Sequence, residues 1–149
     1  MFRLSQKSLT RLQGVKDPLV AVVMDAIKVT KVDFGVTAGL RTEEEQRRLV
    51  NQGRSQTMRS KHLTGDAVDL VAYFGREVSW ENAVYDDICD AMAESARKHD
   101  VAIRWGGAWT EGCISQYPGT AEEAHNEYID KRRSQGRRPF VDMPHFELI

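Results

Sequence analysis

Thiols are scarce in this chain: Cys89 and Cys113 are the only cysteines in 149 residues. They fit no paired zinc-ribbon spacing, and two thiols in so long a chain make no disulfide framework, so both read as structural or incidental. Long apolar runs are missing too. The longest, residues 19–24, falls far short of the ~20 residues that a membrane-spanning helix needs. The opening Met1-Phe2-Arg3-Leu4-Ser5-Gln6-Lys7 is polar where a signal peptide has its apolar core, so the expectation is cytoplasmic synthesis without a signal peptide, with release left to another agent. Excess charge of one sign is absent as well. Lys and Arg total 21 against 22 Asp and Glu, which removes any bulk electrostatic case for nucleic acid or an anionic membrane as partner. No repeat, low-complexity tract or linker divides the chain, and its length suits one domain with a core of useful depth. A single domain over 1–149 is expected, and its partner has to be argued from a site.

What the chain does have is periodicity. Leu9, Leu12, Val15, then Leu19, Val22, Val23, Ala26 and Ile27 recur at three- and four-residue steps, the signature of helix. Gly14 and Asp17-Pro18 divide this stretch into a short helix and a longer one, with Asp17 as N-cap and Pro18 at the first helical position. Residues 32–40 read as a strand. Arg41 leaves its end just before Thr42 and Glu45, which together form a capping box for a helix over 43–52 that stops at Gly53. Residues 54–59 are an aperiodic polar loop, and 67–74 alternate as a second strand ending in a turn at Gly75-Arg76-Glu77. A helix over 79–100 follows, with Ser79 as its N-cap, then a short strand over 101–105 ending at Gly106-Gly107. Residues 121–133 are polar all round and predict a solvated helix at best. Apolar residues return at 140–149, a segment expected to close on the sheet. Helices and strands alternate irregularly, which places the fold in the α+β class.

One residue breaks the pattern. Asp69 lies inside Ala67-Val68-Asp69-Leu70-Val71-Ala72-Tyr73-Phe74, on the same strand face as Ala67 and Val71, and a buried carboxylate is costly unless it meets a cation, a metal or several donors. His62 stands seven residues earlier, and His145 lies between Pro144 and Phe146 where the chain turns apolar again. A catalytic zinc takes three protein ligands and keeps a fourth position open, and these three side chains fit that count. Spacing alone leaves the choice open between a metal site and ordinary polar surface. His99, at a helix end, and His125, in a polar segment, have no matched partners and read as surface residues. The basic run Lys131-Arg132-Arg133 with Arg137-Arg138 reads as a solvated face.

Motifs narrow the choice. Ser60-Lys61-His62-Leu63-Thr64-Gly65-Asp66-Ala67-Val68-Asp69 resembles the S-x-H-x-x-G-x-A-x-D motif of the zinc-dependent D-alanyl-D-alanine peptidase family. Asp142-Met143-Pro144-His145-Phe146-Glu147-Leu148 is similar to that family's second motif, in the form typical of phage L-alanyl-D-glutamate peptidases. Val36-Thr37-Ala38-Gly39-Leu40-Arg41-Thr42 and Trp105-Gly106-Gly107-Ala108-Trp109 resemble two further family motifs, and all four occur in the family's order. Ala108 departs from the pattern, because the phage forms commonly have Asp there. Residues 110–139 also stand where the family usually has a short connection, and read as an insertion near the cleft mouth.

The resemblance implies the Hedgehog/D-alanyl-D-alanine peptidase fold, a small antiparallel sheet flanked by helices. It makes His62, Asp69 and His145 the ligands of Zn2+, Asp142 the catalytic base and Arg41 the cation that orients the substrate carbonyl or stabilises its oxyanion. Ser60 and Trp105 become candidates for substrate contact, Trp105 being equally readable as a core aromatic. The implied substrate is a peptidoglycan stem peptide, cut at the L-alanyl-D-glutamate bond by a phage-type endolysin. Such an enzyme would work as a monomer and reach the wall through a holin-like pore. The alternatives are a D,D-carboxypeptidase or D,D-dipeptidase of cell-wall metabolism, and a non-catalytic zinc-stabilised wall-binding module.

Overall fold

The alternating run around Asp69 lies at the centre of the architecture. The computed structural model describes residues 1–149, in the order α1 (Gln6–Arg11), α2 (Asp17–Val29), β1 (Asp33–Ala38), α3 (Glu43–Asn51), β2 (Ala67–Phe74), β3 (Glu77–Ser79), α4 (Asn82–His99), β4 (Ile103–Trp105), α5 (Ala121–Ser134) and β5 (His145–Leu148). Short 3-10 turns occupy Lys61–Thr64, Trp109–Glu111 and Ile114–Gln116. The sheet has the order β1-β2-β5-β4, with β3 also paired to β2 and every pairing antiparallel. Helices packed on a small antiparallel sheet are the architecture that the motifs imply.

Period 2 gives β2 two different faces. Val68, Leu70 and Ala72 enter the main core with Leu19, Val22 and Val23 of α2 and Ile88 and Met92 of α4. Asp69 points to the other side, with Ala67 and Val71. The two helices are also pinned to each other by the Ser95 hydroxyl, which donates to the Val22 carbonyl at 2.6 Å. On the outer edge of β1, α1 meets backbone groups that have no strand partner. Val36 N–H donates to Ser8 Oγ at 2.9 Å and Arg11 Nη1 donates to the Val36 carbonyl at 3.0 Å, so the edge is closed without another strand.

Several local expectations are met, the β2 limits and the Thr42–Glu45 capping box among them. Others shift. Lys16 is the N-cap of α2 and Asp17 is its first residue, which still sets a carboxylate at the positive end of the helix dipole. Ser79 ends β3 instead of capping α4, whose N-cap is Glu81. The segment 121–133 is not solvated all round. It lies within α5, which buries Ala121, Ala124 and Tyr128, spaced three and four residues apart on one face. A second capping box, Thr120 with Glu123, starts that helix, and Asp90 of α4 accepts from Ala121 N–H at 2.8 Å. No helix is long and apolar enough to cross a membrane.

Candidate active site

Three separate chain segments bring the site together. Antiparallel register sets Asp69 of β2 directly opposite His145 of β5. His62 arrives from the 3-10 turn Lys61–Thr64, where Ser60 Oγ accepts from its N–H at 3.2 Å. Gly65 closes that turn at φ 76°, a left-handed conformation that glycine adopts without strain. An added Cβ there would also come within 2.4 Å of the Gly14 carbonyl. A bulge in β1 shifts the pairing between Val36, opposite Leu70, and Ala38, opposite Asp69. It redirects the chain, so that the Gly39 carbonyl lies 2.8 Å from His62 Nδ1 and Arg41 N–H donates to the His62 carbonyl at 2.9 Å.

These bonds fix which imidazole nitrogens are available. His62 donates Nδ1–H to Gly39, which leaves Nε2, buried and without a hydrogen-bond partner, as the nitrogen that can face an ion. It points toward Asp69 Oδ1 at 3.3 Å. His145 donates Nε2–H to Glu147 Oε1 at 2.8 Å and turns Nδ1 toward the same Asp69 oxygen at 3.2 Å. The three potential ligand atoms lie within 4.8 Å of one another. Zinc–nitrogen bonds near 2.0–2.1 Å in tetrahedral geometry put neighbouring ligand atoms about 3.3 Å apart, close to both separations seen here. An orphaned buried nitrogen beside a carboxylate and a second imidazole suits a divalent ion, so the residues present fit a metal.

Electrostatics agree with that donor set. Burial raises the pKa of Asp69, but its interactions with His145 and His62 outweigh this and hold it well below the usual carboxylate range. Burial lowers the pKa of His145, yet Asp69 and Glu147 bring it up to about 9. Asp142 shifts the other way, raised by burial and then by the nearby Asp69 carboxylate. Its place is set by Gly106, whose carbonyl accepts from Asp142 N–H at 2.9 Å and whose N–H donates to the His145 carbonyl at 2.8 Å. A Cβ on Gly106 would meet the Asp142 carbonyl at 2.1 Å, so only glycine permits this approach.

His62, Asp69, His145, Asp142, Arg41 and Ser60 all line one cleft of about 710 Å³. Arg41 Nη2 is 3.7 Å from Asp69 Oδ2, and Arg41 Nη1 donates to Gln46 Oε1 at 2.8 Å. Trp105 is not part of the lining. It is fully buried, donates Nε1–H to the Met143 carbonyl at 2.8 Å and stacks on Phe146 at 6.4 Å, so it is a core aromatic beneath the site. Trp109 forms the cleft wall instead, with its ring centroid 5.2 Å from that of His145 and 6.1 Å from that of Phe140. His125 is not a free surface residue either, since its Nδ1 lies 2.6 Å from the Gly107 carbonyl.

Two participants had no role in the sequence reading. Glu147 holds the tautomer of His145, and its place two residues further along the same strand was the available signal. Gln46 is completely buried in α3, and nothing in its polar surroundings in the sequence marks it.

A His-Asp-His cluster with both imidazoles buried and the aspartate half-buried, beside a second carboxylate in a cleft between sheet and loops, defines a candidate mononuclear metallohydrolase. The chain belongs to the phage L-alanyl-D-glutamate peptidase family, whose sequence model matches residues 1–149. Among curated proteins, it is 26% identical over 112 residues to the L-alanyl-D-glutamate peptidase of Escherichia phage T5, a match covering 72% of this chain and 82% of that protein. It is 41% identical over 71 residues to the L-alanyl-D-glutamate peptidase of Listeria phage A118, covering 48% of this chain and 24% of that longer protein. Among solved structures, the L-Ala D-Glu endopeptidase ChiX of Serratia marcescens superimposes with a TM-score of 0.75 at 34% identity, covering 99% of this chain and 90% of that one.

Proposed function

We propose that this protein is a peptidoglycan hydrolase that cleaves the L-alanyl-D-glutamate bond of stem peptides, with Zn2+ as its cofactor and the role of a phage-type endolysin. The observation that carries the reading is the convergence of His62 Nε2, Asp69 Oδ1 and His145 Nδ1 in the cleft that also holds Asp142 and Arg41, in a chain whose relatives are named for that bond. His62, Asp69 and His145 would hold the ion. When bound, zinc supplies a Lewis acid for the scissile carbonyl and eases deprotonation of water.

The chain's own residues supply the rest. Asp142 takes the proton from the attacking water and returns it to the departing amine nitrogen of D-glutamate, so one carboxylate serves as base and then as acid. Its desolvated setting raises its proton affinity, and the positive charge of a bound ion would offset that rise. Arg41 cannot deprotonate. Held by Gln46 at the cleft wall, it presents N–H groups to the carbonyl oxygen as negative charge builds there. Ser60 and Trp109 flank the path of the peptide.

The test is mass spectrometry of digested peptidoglycan together with metal analysis of the purified protein. The expected products carry a new N-terminal D-glutamate, and the protein contains close to one zinc per chain. Release of free D-alanine with the L-alanyl-D-glutamate bond intact would move the enzyme to the D,D-peptidases. An Asp142→Ala protein is expected to keep its zinc and lose at least ~100-fold in kcat. Full lytic activity in that variant would remove Asp142 from the mechanism.

A further inference from the structure

The cleft carries more cationic groups than the proposed reaction uses. Arg41, Arg54, Arg59 and Lys61 all line it. Two of them are engaged: Arg41 with Gln46 and Asp69, and Lys61 with Glu147 and the Leu148 carbonyl. Arg54 and Arg59 are exposed and pair with no carboxylate of the chain.

The loop that presents them is fastened to the site. Gln46, with no solvent exposure, donates from Nε2 to Ser55 Oγ at 2.8 Å and to the Thr57 carbonyl at 2.6 Å, while its Oε1 accepts from Arg41. Thr57 Oγ1 in turn accepts from Arg59 N–H at 2.9 Å. One buried amide therefore ties the loop to the guanidinium proposed to act at the scissile carbonyl. The backbone between Ser55 and Arg59 is held in place as part of the cleft wall.

Resting on the proposed cleavage of the L-alanyl-D-glutamate bond, we infer that Arg54 and Arg59 form the subsite for the amine side of that bond and bind the free carboxylates of the stem peptide. The chemistry of the substrate fixes the direction. On the acyl side, L-alanine leads back to a sugar with no stem carboxylate. The α-carboxylate of the γ-linked D-glutamate and any side-chain carboxylate of the third residue both lie on the amine side. Two unpaired guanidiniums on a fastened loop attract that half of the peptide and suit planar carboxylates. They also disfavour a third residue that ends in an ammonium group alone. The stem therefore lies with its anionic half over the 53–59 loop and its sugar end away from it.

The test measures binding of short stem peptides to zinc-loaded Asp142→Asn protein by calorimetry, with and without the added pair Arg54→Gln and Arg59→Gln. Four tripeptides, each with its C-terminal carboxyl capped as an amide, serve as probes: L-Ala-γ-D-Glu-diaminopimelate, its form amidated at the D-glutamate α-carboxyl, its form amidated at the side-chain carboxyl of the third residue, and the form amidated at both. The arginine changes are expected to weaken binding of the fully acidic peptide about fivefold, as two partly exposed charge contacts would, and to leave the doubly amidated peptide unaffected. The singly amidated peptides identify which carboxylate is held. High salt should erase the difference. Equal loss for all four peptides, or no loss for the acidic one, would overturn the inference. Cleavage by the protein with Asp142 intact is a separate measurement. Arginine-dependent binding without cleavage would uphold the subsite and overturn the hydrolytic reading instead.

Discussion

At the scale of single residues, the proton on His145 decides how the site meets an ion. Its pKa, 6.5 for an ordinary imidazole, is raised to about 9 in the folded protein, while that of Asp69 falls from 3.8. A raised imidazole pKa contributes stability that is complete below 6.5 and is lost as pH climbs through about 9. A lowered carboxylate pKa contributes stability that is complete above 3.8 and is lost as pH falls below it. The pair is therefore intact in the metal-free protein across pH 3.8–6.5. Chelator-treated protein is expected to lose thermal stability between pH 6.5 and 9, and zinc affinity to climb over the same interval, because the ion must displace the proton from Nδ1. A melting temperature of the chelated protein that stays level to pH 9 would show that folding does not raise the His145 pKa. Glu147 acts one bond further out, since its hydrogen bond to Nε2 keeps the proton on that nitrogen and makes Nδ1 the one that yields its proton to an ion. Glu147→Gln is expected to weaken zinc binding about tenfold, read by competition with a chromophoric chelator. Unchanged affinity would reduce Glu147 to a partner of Lys61 and Arg104.

At the scale of elements, α3 links the site to its outer wall. Its one fully buried side chain, Gln46, joins Arg41 to the loop at Ser55 and Thr57. Gln46→Leu fills similar volume but leaves those buried polar groups unpaired, at a cost of about 1–3 kcal/mol in stability. The expected result is a lower urea midpoint and a fall in kcat/KM of about tenfold, set by the looser Arg41, with zinc content unchanged. Normal kinetics would show that Arg41 is positioned by Asp69 alone. Gln46 also marks the limit of what the sequence discloses. Residues whose roles depend on local pattern were legible: the alternation of β2 isolates Asp69, and Thr42 with Glu45 marks the start of α3. Residues whose roles depend on distant partners were not, because the partners of Gln46 are set by how a loop returns to its helix. Trp105 and Trp109 have similar neighbours in sequence, and only the pairing of β4 with β5 turns the first into the core. The face of α5 was hidden for a different reason. Alanines at 121 and 124 with Tyr128 make too weak an apolar stripe to stand out among charges, yet they suffice against α4.

At the scale of the whole molecule, two parts of the fold do different work. The apolar core is built largely by α2 and α4 against one face of the sheet, while the candidate ligands sit on the other face and on the cleft loops. Asp69 and His145, 76 residues apart in sequence, meet there across paired strands. An ion at this point would tie β5 and the 3-10 turn carrying His62 to β2 without touching the helical core. Ligand binding stabilises whatever opens to release it, by about 2.7 kcal/mol at a hundredfold excess over Kd, and local opening need not involve the entire chain. Hydrogen exchange on the zinc-loaded and chelated proteins is the measurement that separates these cases. Removal of zinc is expected to accelerate exchange in β5 and around His62 while amides of α2 and α4 keep their protection. Uniform acceleration through all of these elements would mean that the site and the helical core unfold as one cooperative unit, with the ion stabilising the fold as a whole.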